Sequence, residues 1–368
     1  MHLFETQEPT TVAHGTIEDV APDKLLTDIL VTRRCYGSSG DIQFRNWLIS
    51  YIEKLGVKHR IGPLGNIIVT VGKKNKVLFS CHTDTVHNMN ESNSKQDLSF
   101  DPAFQHLFLS DKTSSTCLGA DDGAGIYIML KMMEKKVAGV YIFHVGEERG
   151  GKGAYAQLDT ERDWLKQFDM SVAFDRPNDN EVICTQGGCE CASVTFGEHL
   201  AKELNSHGLN YAVSHKGVFT DNKVYQSVIR ENVNLGVGYV NQHTKEEYLD
   251  YGHVERLLYA CLKIDWSSLT VTRELPKPPP FRDSPVWTGK GSLPSKPTFS
   301  GKNGKKPVFG VVPPSPKTPM ETVMECNADD IHDLVETDPW IAAQALISMV
   351  AELEAYKAKV HALERLLQ

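Results

Sequence analysis

The sequence predicts an α/β protein, three-layered, with a mixed and largely parallel central sheet between helices, then a proline-rich linker and a C-terminal helix. Three observations lead there. Short β-rich apolar runs alternate with stretches of helical periodicity up to about residue 272. Those runs are apolar throughout, as in strands covered on both faces. Polar, acidic and glycine-rich turns follow them, at the end of the sheet where α/β proteins keep their sites.

Taken in order, "DKLLTDILVTRR" and "DIQFRNWLISYIEKLG" carry apolar residues at helical spacing; the second follows the break "GSSG" and closes at Gly56. "NIIVTVG", "KVLFSC", "GVYIFHV" and "MSVAFD" read as strands, and further helices are expected at 123–136, around 195–206 and at 253–264. In the stretch "LFSCHTDTVH", strand alternation points His82 and Asp84 the same way at a strand's carboxyl end.

Composition narrows the function classes. Hydrophobic residues at 40%, charged residues at 23% and a net charge of -8 describe a globular chain and argue against nucleic acid or an anionic membrane as partner. There is no run of 18 apolar residues, and "MHLFETQEPT" lacks the basic-then-apolar order of a secretory signal, so a cytoplasmic location is expected. Eight scattered cysteines without a CxxC pair read as free thiols rather than a disulfide framework. Cys189 and Cys191 are the one close pair, read as small core or strand residues rather than ligands.

Three blocks divide the chain: 1–272, 273–319 and 320–368. Twelve of the 18 prolines fall between residues 276 and 319, which marks a disordered, basic linker. In the acidic third block Asp338 and Pro339 form a helix start. Beyond them Leu346, Leu353, Val360 and Leu367 recur every seven residues, with Met349, Tyr356 and Leu363 between. This seam suits a coiled coil and hence a homo-oligomer, or an amphipathic helix folded back on the first block.

The first block gathers ligand-type side chains at strand ends and glycine-rich turns: His82 with Asp84, Asp121 with Asp122 in "LGADDGAGI", Glu147 with Glu148 in "HVGEERGGKGA", Asp175 in "VAFDRPN", and His243 in "GYVNQHTKEEY". One carboxylate alone would cap a helix or face solvent. Together, mixed histidine and carboxylate donors suit zinc or a related divalent ion, and two ions sharing a carboxylate need about one histidine and one further carboxylate each. Two such cations activate a shared water and polarise a carbonyl, and an unligated glutamate then moves the proton. His87 and His144 read as locally hydrogen-bonded or packed, and His253 as a solvent-facing residue opening a helix.

Over roughly residues 20–265 this ordered set resembles the co-catalytic dizinc exopeptidases and deacylases of the MH clan, which include peptidase T, bacterial aminopeptidases and acetylornithine deacetylase. The resemblance implies a zinc-exopeptidase fold and two divalent ions, zinc with cobalt or manganese as alternatives. It implies His82 as ligand of one ion, Asp121 as the bridge, Glu148 and Asp175 as carboxylate ligands on separate ions, and His243 on the second ion. It further implies Asp84 as acceptor for the His82 ring, Glu147 as general base, and a cis peptide between Asp121 and Asp122. Thr220 and Asp221 in "FTDNKVY" resemble a substrate-side segment, or a turn with a helix cap.

Many members insert a lid of about a hundred residues before the last histidine. Here only 68 positions separate residue 243 from residue 175, so a compact, lidless unit is expected. The expected activity is hydrolysis of an amide bond near the end of short peptides, as an aminopeptidase. The alternatives are an N-acyl amino acid deacylase with the same centre, or a non-catalytic metal-stabilised protein working through its tail.

Overall fold

Apolar runs bounded by polar turns settle in the middle of a sheet, because only there are both faces covered. The strand Val77–His82 is buried at every position and lies between Gly139–His144 and Met170–Arg176, parallel to both. The computed structural model describes residues 21–73, 76–91 and 94–276. In the eight-stranded central sheet the order is Lys58–Ile61, Ile67–Val71, Gly139–His144, Val77–His82, Met170–Arg176, Glu231–Gly236, Glu181–Ile183 and Ala212–Ser214. Its pairings are parallel except where Ile67–Val71 meets both its neighbours and where Glu231–Gly236 meets Glu181–Ile183.

Strand alternation builds two cores from one sheet. Val77, Phe79 and Cys81 join the larger cluster, which takes in the helices Ala120–Glu134, Val194–Asn205 and Tyr251–Lys263. Leu78, with Val140 and Ile142, faces the opposite side and packs with Ala154, Val224 and Tyr225 from the helix Lys152–Thr160 and the turn Asp221–Ser227. The helix Ala120–Glu134 is the central pillar, buried at every residue except Lys131 and Glu134. Asp121 and Asp122 have non-helical backbone, so the regular helix begins at Gly123 as the periodicity predicts. The strands and helices expected in the first block are present within a few residues of their predicted limits.

Two features depart from the expectation. A four-stranded antiparallel sheet joins Leu98–Asp101 and His106–Leu109 to Tyr239–Val240 and Tyr248–Asp250. Its strands are two to four residues long and mostly half-buried, which leaves little alternation to read. His253 is 2% exposed rather than solvent-facing. Its helix starts against Gly238, and its Nε2 pairs with the Tyr211 hydroxyl at 2.9 Å.

The chain is still tied to this body at Arg273, whose backbone N–H donates to Glu231 Oε1 at 2.8 Å. Residues 1–20, nearly all of the proline-rich linker, the heptad seam and Cys326 lie outside the described residues. The seven described cysteines are free thiols. Among the described residues no helix is long and apolar enough to cross a membrane.

A glycine fixes how closely the pillar approaches the sheet. A Cβ on Gly125 would stand 2.4 Å from both Asp122 Oδ1 and the carbonyl oxygen of Phe174. Gly125→Ala is therefore expected to destabilise the protein by about 3 kcal/mol, the upper range for overpacking. A lowered urea midpoint would show it, and an unchanged midpoint would mean the helix can shift without cost.

Candidate metal centre

Three elements aim donors at one point through backbone geometry. His82 ends its strand, Asp175 is the last residue but one of the neighbouring strand, and Asp121 sits at the kinked entry to the pillar helix, where the Asp121–Asp122 peptide is cis. His82 Nε2 lies 3.0 Å from Asp121 Oδ1 and 3.6 Å from Asp175 Oδ1. On the far side of Asp121, His243 Nε2 lies 3.2 Å from Asp121 Oδ2 and 2.8 Å from Glu148 Oε1. Each trio, His82–Asp121–Asp175 and Asp121–Glu148–His243, offers donor atoms within 4.8 Å of one another, and the two share Asp121. A third trio, His82–Glu147–Glu148, also meets that limit.

Glu147 and Glu148 come from the 3-10 turn Glu147–Arg149, which the left-handed Gly146, Gly150 and Gly151 let fold back beside the strand end. His243 occupies the loop of the hairpin between Tyr239–Val240 and Tyr248–Asp250, with φ +66. It is the most accessible of the five, its side chain 46% exposed. Glu147, Glu148, Asp121, Asp175 and His243 all line a cavity of about 260 Å³.

The His82 ring has its expected acceptor in Asp84, but in the backbone rather than the carboxylate. Its Nδ1 donates to the backbone carbonyl of Asp84 at 2.9 Å, while the Asp84 carboxylate stands 3.9 Å away. That carboxylate instead accepts the N–H groups of Gly146, Glu147 and Glu148 at 2.8, 3.2 and 3.3 Å, and so secures the turn carrying both glutamates. Thr220 and Asp221 follow the second of their two readings and open the 3-10 turn Asp221–Ser227, with Thr220 at its N-cap position. Both are buried, neither lines the cavity, and the Thr220 hydroxyl donates to Asp175 Oδ2. Asp221 faces His144, with 3.2 Å between Oδ2 and Nδ1, rather than an incoming ligand. His144 Nε2 meets the Tyr225 hydroxyl at 2.6 Å, and His87 bonds locally to Thr85 and Gln96.

Three supporting residues were not singled out from the sequence. Glu247, fully buried, accepts from the N–H groups of Leu118, Gly119 and Asp121 and so grips the loop that presents Asp121. Its position falls in the stretch H-T-x-x-E-Y opened by His243, but nothing local gives it a role until the hairpin register is known. Arg34, also fully buried, donates to the carbonyls of Thr83, Gly119 and Ile29. In "VTRR" it looks like a surface residue. Tyr239 donates from its hydroxyl to Asp175 Oδ1 at 3.2 Å.

Crowded carboxylates away from water favour protons or cations. Burial, then the charge of neighbouring acids, holds Asp122, Glu147 and Asp221 well above the ordinary carboxylate range. Burial also raises Asp175 and Glu148, although His82 and His243 respectively pull against it. Asp121 goes the other way: burial penalises its charge, but hydrogen bonds with His243 and His82 outweigh that. Burial lowers His82, and Asp175 and Asp121 more than offset it and hold the imidazole well above its usual value. Hydrogen bonds to Asp121 and Glu148 push His243 up to about 10.

These residues fit divalent cations. The donors are imidazole and carboxylate, the set that suits zinc and its first-row relatives, and two trios meet at one carboxylate. In the chain alone, positive charge beside the shared carboxylate comes from the two imidazoles.

No family model matches the chain, and no curated protein sequence matches it. Solved structures do. Similar folds include aminopeptidase PepT from Bacillus cereus ATCC 10987, at 15% identity and TM-score 0.50, over 65% of this chain and 95% of that one. A tripeptidase from Staphylococcus aureus subsp. aureus Mu50 aligns at 15% identity and TM-score 0.53, with the same coverage. An aminopeptidase from the archaeon Desulfurococcus kamchatkensis aligns at 12% identity and TM-score 0.51, over 65% of this chain and 92% of that one. The chain has the fold of these peptidases, as its motifs imply.

Cations entering the two trios must displace the protons on His82 and His243. Adding Zn²⁺ to metal-free protein is expected to release protons, since His82 and His243 are both raised above the usual imidazole value and must lose their protons to coordinate. Protons compete with the ions, so apparent affinity should rise with pH through the neutral range. Calorimetry in buffers of different ionisation enthalpy checks this, and an identical apparent enthalpy in all of them would rule it out.

Proposed function

We propose that the protein is a metal-dependent hydrolase that cleaves an amide bond near the end of short peptides, acting as an aminopeptidase. The observation that carries this reading is the pair of donor trios meeting at Asp121, with Glu147 beside them in the same cavity. His82, Asp121 and Asp175 would hold one divalent ion, and Asp121, Glu148 and His243 a second. Zinc suits the donor set, and cobalt or manganese would occupy the same ligands. When bound, such ions supply Lewis-acid activation of water and polarisation of the scissile carbonyl.

The remaining work falls to the chain. Glu147 takes a proton from the attacking water and returns it to the leaving amine, a role open to a carboxylate that faces the cavity. Burial raises its affinity for protons, the direction that suits a group that accepts a proton and gives it back. Asp84 fixes the backbone of the Glu147 turn and so holds the base in place beside the strand-end ligands. Tyr239 and Thr220 each occupy one oxygen of Asp175 and fix its orientation towards His82.

Glu147→Gln is expected to lower kcat by about 10²- to 10⁴-fold, the usual worth of a general base, with metal content unchanged. Hydrolysis at the wild-type rate would remove Glu147 from that role. Asp121→Asn should lower the metal bound per chain, measured by elemental analysis after dialysis. A panel of free-amine and N-acetylated peptides decides the substrate class: release of amino acids from blocked peptides alone would replace the aminopeptidase reading with an N-acyl deacylase.

A further inference from the structure

The cavity contains one charged side chain that the chemistry above does not use. Arg176 follows Asp175 at the end of the strand Met170–Arg176 and lines the same cavity. Every other charged lining residue is a carboxylate, apart from His243. The Nε and Nη2 atoms of Arg176 both reach Glu181 Oε2, at 2.8 and 2.7 Å, and Glu181 Oε1 accepts from the Ser214 hydroxyl at 2.7 Å. Glu181 therefore grips one edge of the guanidinium. Nη1 has no hydrogen-bond partner among the described residues, and the side chain is 18% exposed.

We infer that Arg176 binds a carboxylate of the substrate, which makes the enzyme selective for very short peptides carrying that group close to the scissile bond. The inference rests on the peptidase reading above. A guanidinium gripped along its Nε edge keeps its Nη1 donors for a second carboxylate, and its planar fork matches that group. Because Glu181 already orders the side chain, binding costs little further side-chain entropy. At about 260 Å³ the cavity falls just below the roughly 300–1,000 Å³ of common ligand pockets, which leaves room for only a residue or two beside the bond. Glu147 would repel an anion placed in that space, and Arg176 is the cation positioned to offset it. The carboxylate is either the C-terminal group of the peptide or an acidic side chain.

The test uses full-length, zinc-loaded protein and three peptides: Leu-Gly-Gly as the free acid, Leu-Gly-Gly amide and Glu-Gly-Gly amide. Wild type should favour a carboxylate-bearing peptide over Leu-Gly-Gly amide by roughly 10- to 100-fold in kcat/KM, the range expected of a charge-assisted hydrogen bond. A preference for the free acid identifies the C-terminal group, and one for Glu-Gly-Gly amide an acidic side chain. Arg176→Gln should erase the preference by raising KM with kcat little changed, while Arg176→Lys retains part of it. Merely structural damage would slow all three peptides alike. Equal kcat/KM on all three by wild type, or a preference surviving Arg176→Gln, would overturn the inference. Should none be hydrolysed, the peptidase reading fails on its own, and calorimetric binding of the same peptides still decides the role of Arg176. Tighter binding of a carboxylate-bearing peptide by wild type, lost in Arg176→Gln, supports it, and equal binding refutes it.

Discussion

Negative charge gathered at the carboxyl ends of parallel strands is the constraint around which the rest of the molecule is arranged. Asp121, Asp175, Glu147 and Glu148 converge on His82 and His243 inside or at the rim of one cavity. Like charges so close in a medium of low dielectric constant repel strongly, and each resists losing its hydration. The arrangement persists only if cations or protons sit between the carboxylates, and if the backbone stops them from swinging apart.

Other buried carboxylates provide the second condition. Asp84 gathers three N–H groups of the glutamate turn, Glu247 gathers three from the loop before the pillar helix, and Asp122 accepts from the N–H groups of His82 and Gly125. Strand ends, turn and helix entry are thus joined by charge-assisted hydrogen bonds, which are stronger than neutral ones. Arg34 closes the assembly from beneath by bridging the carbonyls of Thr83 and Gly119. Burial lowers its pKa to about 10, opposed in part by the charges of Asp122, Glu247 and Asp84, and it stays cationic at neutral pH. Among the described residues it pairs with no carboxylate, and its charge acts on the acidic cluster through the field it sets up.

How much of this was legible in the sequence follows from which forces are local. Apolar runs such as "KVLFSC" and "GVYIFHV" identify buried strands because burial on both faces leaves an unbroken signature, and glycines beside acidic pairs mark the turns where donors emerge. The short second sheet was not legible, because half-buried strands of a few residues carry almost no periodicity. Three readings needed long-range packing to settle. Asp84 read as the acceptor for the His82 ring and is so through its backbone carbonyl, while its carboxylate is drawn to N–H groups more than 60 positions away. His253, at the start of a helix, looked exposed because nothing local reveals Tyr211 lying across it. Thr220 and Asp221 read either as a substrate-side segment or as a turn with a helix cap; they open the 3-10 turn Asp221–Ser227, and long-range packing turns them beneath the site.

The two trios share a carboxylate but are not equivalent, and the difference follows from the scaffold. His82 and Asp175 stand on adjacent strands of the central sheet, almost wholly buried, with their orientations set by a backbone carbonyl, a threonine and a tyrosine. Glu148 and His243 stand on a turn and a hairpin loop, and His243 is nearly half exposed. The first trio is held by the same hydrogen bonds that hold the sheet, whereas the second depends on two loops meeting at the cavity rim. Local opening is cheapest where exposed loops carry the contacts, so any motion that admits a ligand should involve the His243 side and leave the His82 side in place. Glu147 belongs to the turn that also carries Glu148, and Arg176 to the strand that also carries Asp175. A substrate lying between them would meet the turn-borne half of the site with its reacting bond and the strand-borne half with its carboxylate.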